Sequence, residues 1–238
     1  MRSSKMLSLF LGFIFSIFVF SGCSEDTVTN NTATQKANLM VVHASPDAPQ
    51  VDFYVDNVKV RDTLSFLANT PYLQLDAGTR NIKVNVAGTN TTVIGPVDLS
   101  FNANSNTSIF AVDSVSMISP LVTADDLTAP ASGKAHIRFI HLSPNAPGVD
   151  ISVQGQPVSE GLFLSREFNK TITSQQQSFI PVDANTYNLE VRLANTLTVV
   201  LPLNGITLES GKIYTVYAKG FVGGTGNQSL GAQIIVNN

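Results

Sequence analysis

The sequence predicts an all-β protein, two tandem antiparallel β-sandwiches behind a secretory leader. Three observations carry that expectation. One ten-residue phrase occurs twice. Apolar residues on either side of it alternate with period two. Short runs bounded by Gly, Pro, Asn and Asp show no helical period.

The phrase His43-Ala44-Ser45-Pro46-Asp47-Ala48-Pro49-Gln50-Val51-Asp52 returns as His141-Leu142-Ser143-Pro144-Asn145-Ala146-Pro147-Gly148-Val149-Asp150. Seven positions are identical at a constant offset of 98 residues, the mark of an internal repeat. An apolar run precedes each copy, Leu39–Val42 and Ile137–Ile140. Val51, Phe53 and Val55 follow the first copy on one parity, and Val149, Ile151 and Val153 follow the second. Period two places them on the core face of a strand. Between the strands, Ser-Pro-x-Ala fits a type I turn, with Pro46 and Pro144 at the position whose φ proline already supplies. Pro49 and Pro147 then push the residue before them toward extended backbone. The phrase is a stiff strand–turn–strand corner.

His43 and His141 end inward-facing rows, and two readings compete for them. In one, the imidazole is a ligand or general base paired with Asp52 or Asp150. In the other, the ring satisfies a loop interrupted by proline, and the Asp accepts amide hydrogen bonds. The structural reading is favoured, because it explains why polar residues belong beside prolines. Ser45 and Ser143, two residues after each His, are taken by the turn rather than free as nucleophiles.

Before the first corner, Arg2 and Lys5 precede an apolar stretch from Met6 to Phe20, too short to span a bilayer and matching a secretory leader. Ser21-Gly22-Cys23 then resembles the lipobox of bacterial lipoproteins, with Phe20 where Leu is usual. The resemblance implies cleavage after residue 22 and a fatty acid, such as palmitate, on Cys23. It also implies a membrane anchor in the cell envelope, on the periplasmic face or the surface of an outer membrane. Cys23 is the one cysteine, so no internal disulfide forms. Ser24 is not the Asp that resembles an inner-membrane retention signal, and Glu25-Asp26 is similar to an acidic patch that directs some lipoproteins outward. Loss of residues 1–22 changes the formal charge from −3 to −5, which argues against a nucleic-acid partner. The expected organisation is leader 1–22, lipidated cysteine and flexible tether 23–36, first repeat 37–123, linker 124–133 and second repeat 134–238. Each repeat is expected to be a folding unit of its own, of immunoglobulin or transthyretin type, with a cleavable linker between them.

Later landmarks keep the register. Leu75–Thr79 aligns with Val182–Thr186 and Ile109–Ala111 with Val216–Ala218, both now at an offset of 107. Nine residues were therefore added, and the polar stretch Ser165–Ser178 is where they are expected. Asn185 in place of Gly78 suggests a positive φ there.

The corner, the Leu75–Thr79 turn and the Leu208–Val216 stretch resemble the bacterial family known as domain of unknown function forty-three ninety-seven. The resemblance covers residues 37–238 as two copies. Leu142 replaces the usual Ala, Asn185 replaces Gly, and Asn102–Asn106 lacks the Gly that Gly211 supplies. It implies secreted or envelope-anchored β-sandwich modules, and it carries no catalytic residue over.

Chemistry finds little support. The three histidines are His43, His136 and His141. His136 and His141 alternate to opposite faces, and there is no cysteine cluster, so no zinc site and no cofactor are expected. Gly223-Gly224-Thr225-Gly226 reads as a hairpin loop. The expected function is a non-enzymatic envelope protein whose modules are structural or bind a protein partner. A glycan-binding accessory role is the alternative, disfavoured by an absence of Trp and only five Tyr. A hydrolase is the least supported.

Overall fold

The computed structural model describes residues 34–168 and 171–238. The leader, Cys23 and the tether up to residue 33 lie outside them. The described chain is all-β. The first repeat holds β1 (Lys36–His43), β2 (Val51–Val55), β3 (Val58–Leu64), β4 (Leu73–Asp76), β5 (Gly78–Val86), β6 (Thr92–Phe101), β7 (Asn106–Val112) and β8 (Ser119–Ala124). The second holds β9 (Lys134–His141), β10 (Val149–Val153), β11 (Phe163–Arg166), β12 (Ile180–Asp183), β13 (Asn185–Leu193), β14 (Val199–Leu208), β15 (Ile213–Lys219) and β16 (Gly231–Val236). One short helix, α1 (Ser174–Gln177), lies between β11 and β12 and is closed by a capping box of Thr173 and Gln176.

The strand orders are β4-β1-β7-β8 and β3-β2-β5-β6, then β12-β9-β15-β16 and β11-β10-β13-β14, so strand for strand the second repeat copies the first. Within each repeat the two sheets share one core. Leu39, Val41 and Ile109 from one sheet meet Phe53, Ile82 and Val84 from the other. Ile137, Phe139 and Val216 meet Val149, Ile151 and Val191 in the same way. Fully burying a side chain of this size contributes about 1.5–3 kcal/mol.

One departure from the expected antiparallel arrangement recurs. β1 pairs with β7 in parallel, and β9 pairs with β15 in parallel. Parallel neighbours need a long crossover. Here the crossover is the chain that builds the facing sheet and adds β4 or β12 to the edge of the same one, so the pairing leaves no local mark in the sequence.

A third cluster joins the repeats. Met40, Val42 and Phe110 of the first pack with Ile140, Leu142 and Tyr217 of the second. Val42 and Ile140 are equivalent residues, as are Phe110 and Tyr217, whose rings meet edge to face at 6.2 Å. Like faces therefore meet. β1 is apolar on both sides and β9 is buried on both, with Arg138 beside Ile140 on its second face, so the run at 39–42 does not alternate. All three clusters lie in the one compact unit Thr34–Asn238, which contains the whole of its own core.

Beside this cluster sits a buried polar network. Arg138 Nη1 lies 2.7 Å from Asp125 Oδ1, with both side chains 0% exposed. Asp125 also accepts from Ser108, Thr123 and Tyr72, and Arg138 Nε donates to Thr215 Oγ1. Thr215 donates to Asn237, whose amide donates to the Tyr72 hydroxyl and closes the circuit. Burial and the neighbouring Asp125 charge push the Tyr72 hydroxyl well above its ordinary pKa. Ala124 and Asp125, placed in the linker by sequence, are thus the end of β8 and a buried residue.

Two turn expectations change. Gly78 takes φ 107°, but Asn185 does not take a positive φ. That value lies outside the narrow left-handed basin Asn tolerates, and Asn185 instead accepts the Thr186 amide on its own side chain. The working Gly-to-Asn exchange is Gly88 (φ 72°) to Asn195 (φ 61°). The nine-residue insertion is also divided. Thr63 and Ser165 hold equivalent places at an offset of 102, so four of the nine enter before Ser165, in the β10–β11 connection.

Candidate functional site: the repeated corner

The strand β1 delivers His43 to the end of the first core, and β9 delivers His141 to the second, at 0% and 3% exposure. Each ring then turns back on its own loop. His43 Nε2 lies 2.9 Å from the Pro49 carbonyl, and His141 Nε2 lies 3.0 Å from the Pro147 carbonyl. A carbonyl only accepts, so Nε2 carries the proton and donates it. Burial holds both imidazoles below their ordinary pKa of 6.5, which keeps them neutral.

The serines reach to a different loop. Ser45 Oγ donates to the Asp113 carbonyl at 2.6 Å, and Ser143 Oγ donates to the Gly220 carbonyl at 2.6 Å. Asp113 and Gly220 are equivalent residues just past β7 and β15, with φ of 75° and 78°. Pro46 and Pro144 hold these serines at the start of the turn. The next residue, which differs between the copies, does the same work. Asp47 Oδ1 accepts from Val115 N at 2.7 Å, and Asn145 Oδ1 accepts from Val222 N at 2.9 Å. Identity between copies does not pick out this position. What Asp47 and Asn145 share is a side-chain oxygen at the same reach.

Asp52 and Asp150 close the corner from the other sheet. Asp52 accepts from Thr63 N at 2.9 Å and Gly88 N at 3.1 Å. Asp150 accepts from Ser165 N at 2.7 Å and Asn195 N at 2.7 Å. All four donors belong to residues with positive φ. Two charge-assisted hydrogen bonds offset a backbone conformation that side chains disfavour. Lys59 adds an ion pair to Asp52 at 2.7 Å. That pair and the Thr63 amide pull the Asp52 carboxyl down to about 2. Neither Asp is the hydrogen-bond partner of its histidine. The residues grouped by sequence are brought together, and each is turned toward backbone of its own repeat.

Among the described residues no group of three or more His, Cys, Asp or Glu side chains is placed to hold a metal ion. Nor, among them, is any helix long and apolar enough to cross a membrane. The Gly223–Gly226 segment lies in the connection between the antiparallel strands β15 and β16.

The model of a family described as a domain of unknown function, DUF4397, matches residues 37–152. Over these residues, a little less than half of the chain, it is similar to the DUF4397 family. The DUF4397 match opens in β1 and ends in β10, so it contains both corners, with the first repeat entire. No curated protein matches the chain significantly. Among solved structures, the Bacillus anthracis TIE protein is similar at 13% identity and a TM-score of 0.23, over 78% of this chain and 34% of that one. A leucine-rich repeat protein from Bacteroides thetaiotaomicron is similar at 13% identity and a TM-score of 0.22, over 79% of this chain and 26% of that one. The chain thus spans about a third of the first and a quarter of the second. At such TM-scores neither likeness bears on its fold or function.

Proposed function

We propose that this chain is a non-enzymatic lipoprotein of the cell envelope. Cys23 carries the lipid, and the tether holds two β-sandwich modules of immunoglobulin or transthyretin type off an outer membrane, where they serve a structural or protein-binding role. One observation supports the reading above others. The polar side chains of the repeated phrase, the most nucleophile-like and base-like groups in the sequence, point into backbone hydrogen bonds that clamp three connections at one end of each repeat. A buried His bonded to a carbonyl and a Ser bonded to another are poor partners for each other in acid–base chemistry.

The anchor is tested by feeding cells a clickable fatty acid. Wild type is expected to be labelled and Cys23→Ser not; equal labelling of the two would sink the lipoprotein reading. Proximity labelling on intact cells then identifies the neighbour. A specific signal on a glycan array, with no protein neighbour enriched, would replace the protein-binding reading with a carbohydrate one.

A further inference from the structure

The two repeats match in strand order but not in filling. Where His43, Val51, Val84, Ile94 and Ala111 of the first repeat converge, the space between the sheets is about 10 Å³. Their equivalents, His141, Val149, Val191, Leu201 and Ala218, line a cavity of about 340 Å³. The difference has identifiable causes. Summed side-chain size is not one of them, since Phe53 and Ile109 have the smaller Ile151 and Val216 as counterparts but Val41 has the larger Phe139. Ile118 packs against the first core from the short segment after β7. In the second repeat that segment is the longer Gly220–Leu230 loop, and Leu230 stands at the cavity wall instead.

The loop is tied so that it cannot fall inward. Phe221 N donates to the Gln228 carbonyl at 2.7 Å and Leu230 N to the Phe221 carbonyl at 2.9 Å. Asn145 grips both the amide and the carbonyl of Val222, and Lys219 Nζ binds the carbonyls of Asn227 and Ser229. A Cβ on Gly220 would come within 2.2 Å of the Ser229 carbonyl oxygen, so the loop closes on itself through bare backbone. The mouth is apolar too, with Val200 and Val222 37% and 49% exposed.

We propose that this cavity in the second repeat binds a small, uncharged, hydrocarbon-rich molecule. Its volume falls in the range of preformed small-molecule sites, which are mostly apolar with few polar groups. The lining carries no acidic side chain, lysine or arginine. His141, its one polar side chain, already gives its Nε2 proton to Pro147. A charged ligand would lose its water there and gain no partner, whereas an apolar one replaces empty space with contacts.

The test is a fluorescence titration of residues 34–238 with the neutral probe N-phenyl-1-naphthylamine. Saturable binding of one probe per chain is expected. Val200→Trp, which fills the mouth from β14, and Val222→Trp, which fills it from the loop, are each expected to weaken binding at least tenfold while the unfolding midpoint holds. Val93→Trp, the equivalent rim position of the first repeat, is expected to leave binding unchanged. Displacement by naphthalene marks a free ring compound as the natural class and displacement by dodecanol a chain, and either supports the site. No saturable binding by wild type, or unchanged binding in both mouth variants, would overturn it.

Discussion

An imidazole sealed between two sheets must place its proton on an acceptor, and at both corners that acceptor is a proline carbonyl six residues ahead. Replacing His43 or His141 with Ala strands that carbonyl, so each change is expected to cost about 1–3 kcal/mol. The two costs should nearly add, since the residues belong to separate cores. Urea unfolding of the single and double variants checks this; midpoints equal to wild type would sink it. Acid supplies a second readout. Because the folded imidazoles sit below 6.5, the unfolded chain takes up protons first as the pH drops. Their contribution is whole above 6.5, shrinks below it and levels off once the folded rings titrate; the His→Ala variants are expected to lose that part of the slope. Asp52 acts later, its contribution whole above 3.8 and lost between 3.8 and about 2. Much of this scale was legible in the sequence, because proline, serine, histidine and aspartate each announce a backbone need. Asp47 and Asn145 were not, since different residues meet the same need. Nor was the shape of the Gly78 turn, because a one-letter exchange does not say which positive φ a glycine holds.

At the scale of elements, the end of β8 and the middle of β9 are joined by a charge pair with no access to water. Removing one partner from such a pair leaves the other buried and alone, so Asp125→Ala is expected to cost about 3–5 kcal/mol. The equivalent of Arg138 is Met40. The equivalent of Asp125 is Asn237, as the amide bonds Asp125 to Asn106 and Asn237 to Ile213 show. The double variant Asp125→Asn/Arg138→Met therefore copies a solution the protein already uses. It is expected to be more stable than Asp125→Ala, and Arg138 Nη2, which has no hydrogen-bond partner, leaves with it. Equal loss in the two variants, measured by urea unfolding, would contradict this account. An aspartate in a polar stretch reads as solvated, and its burial among Tyr72, Ser108, Thr123 and Arg138 arises only in the packed chain. The apolar runs 39–42 and 137–140 were the available signal. A strand covered on both sides does not alternate, yet the repeats read as separate folding units and the second face goes unread.

For the whole molecule, the exposed part of the linker and the shared cluster pull in different directions. Residues from Asp126 to Gly133 are mostly exposed and open to a protease. A cut there is expected to give two fragments on a denaturing gel. Under native conditions those fragments are expected to elute together, because parting would expose Val42, Phe110, Leu142 and Tyr217 to water. Fragments that separate on size exclusion without denaturant would show the repeats to be independent, as composition alone suggests.

The meeting of like faces also bears on how the chain can diverge. In a pair of identical polypeptides related by a twofold axis, every mutation appears on both sides of the contact. An arginine at the Met40 and Arg138 position would then arrive twice and demand two acidic partners. With both copies on one polypeptide, a mutation lands once. One copy can take the cation and the other the anion, while the mirror positions keep methionine and asparagine. Duplication within a single gene thus permits a lock between halves that is written in one direction only. The same freedom let one core stay filled while its twin opened.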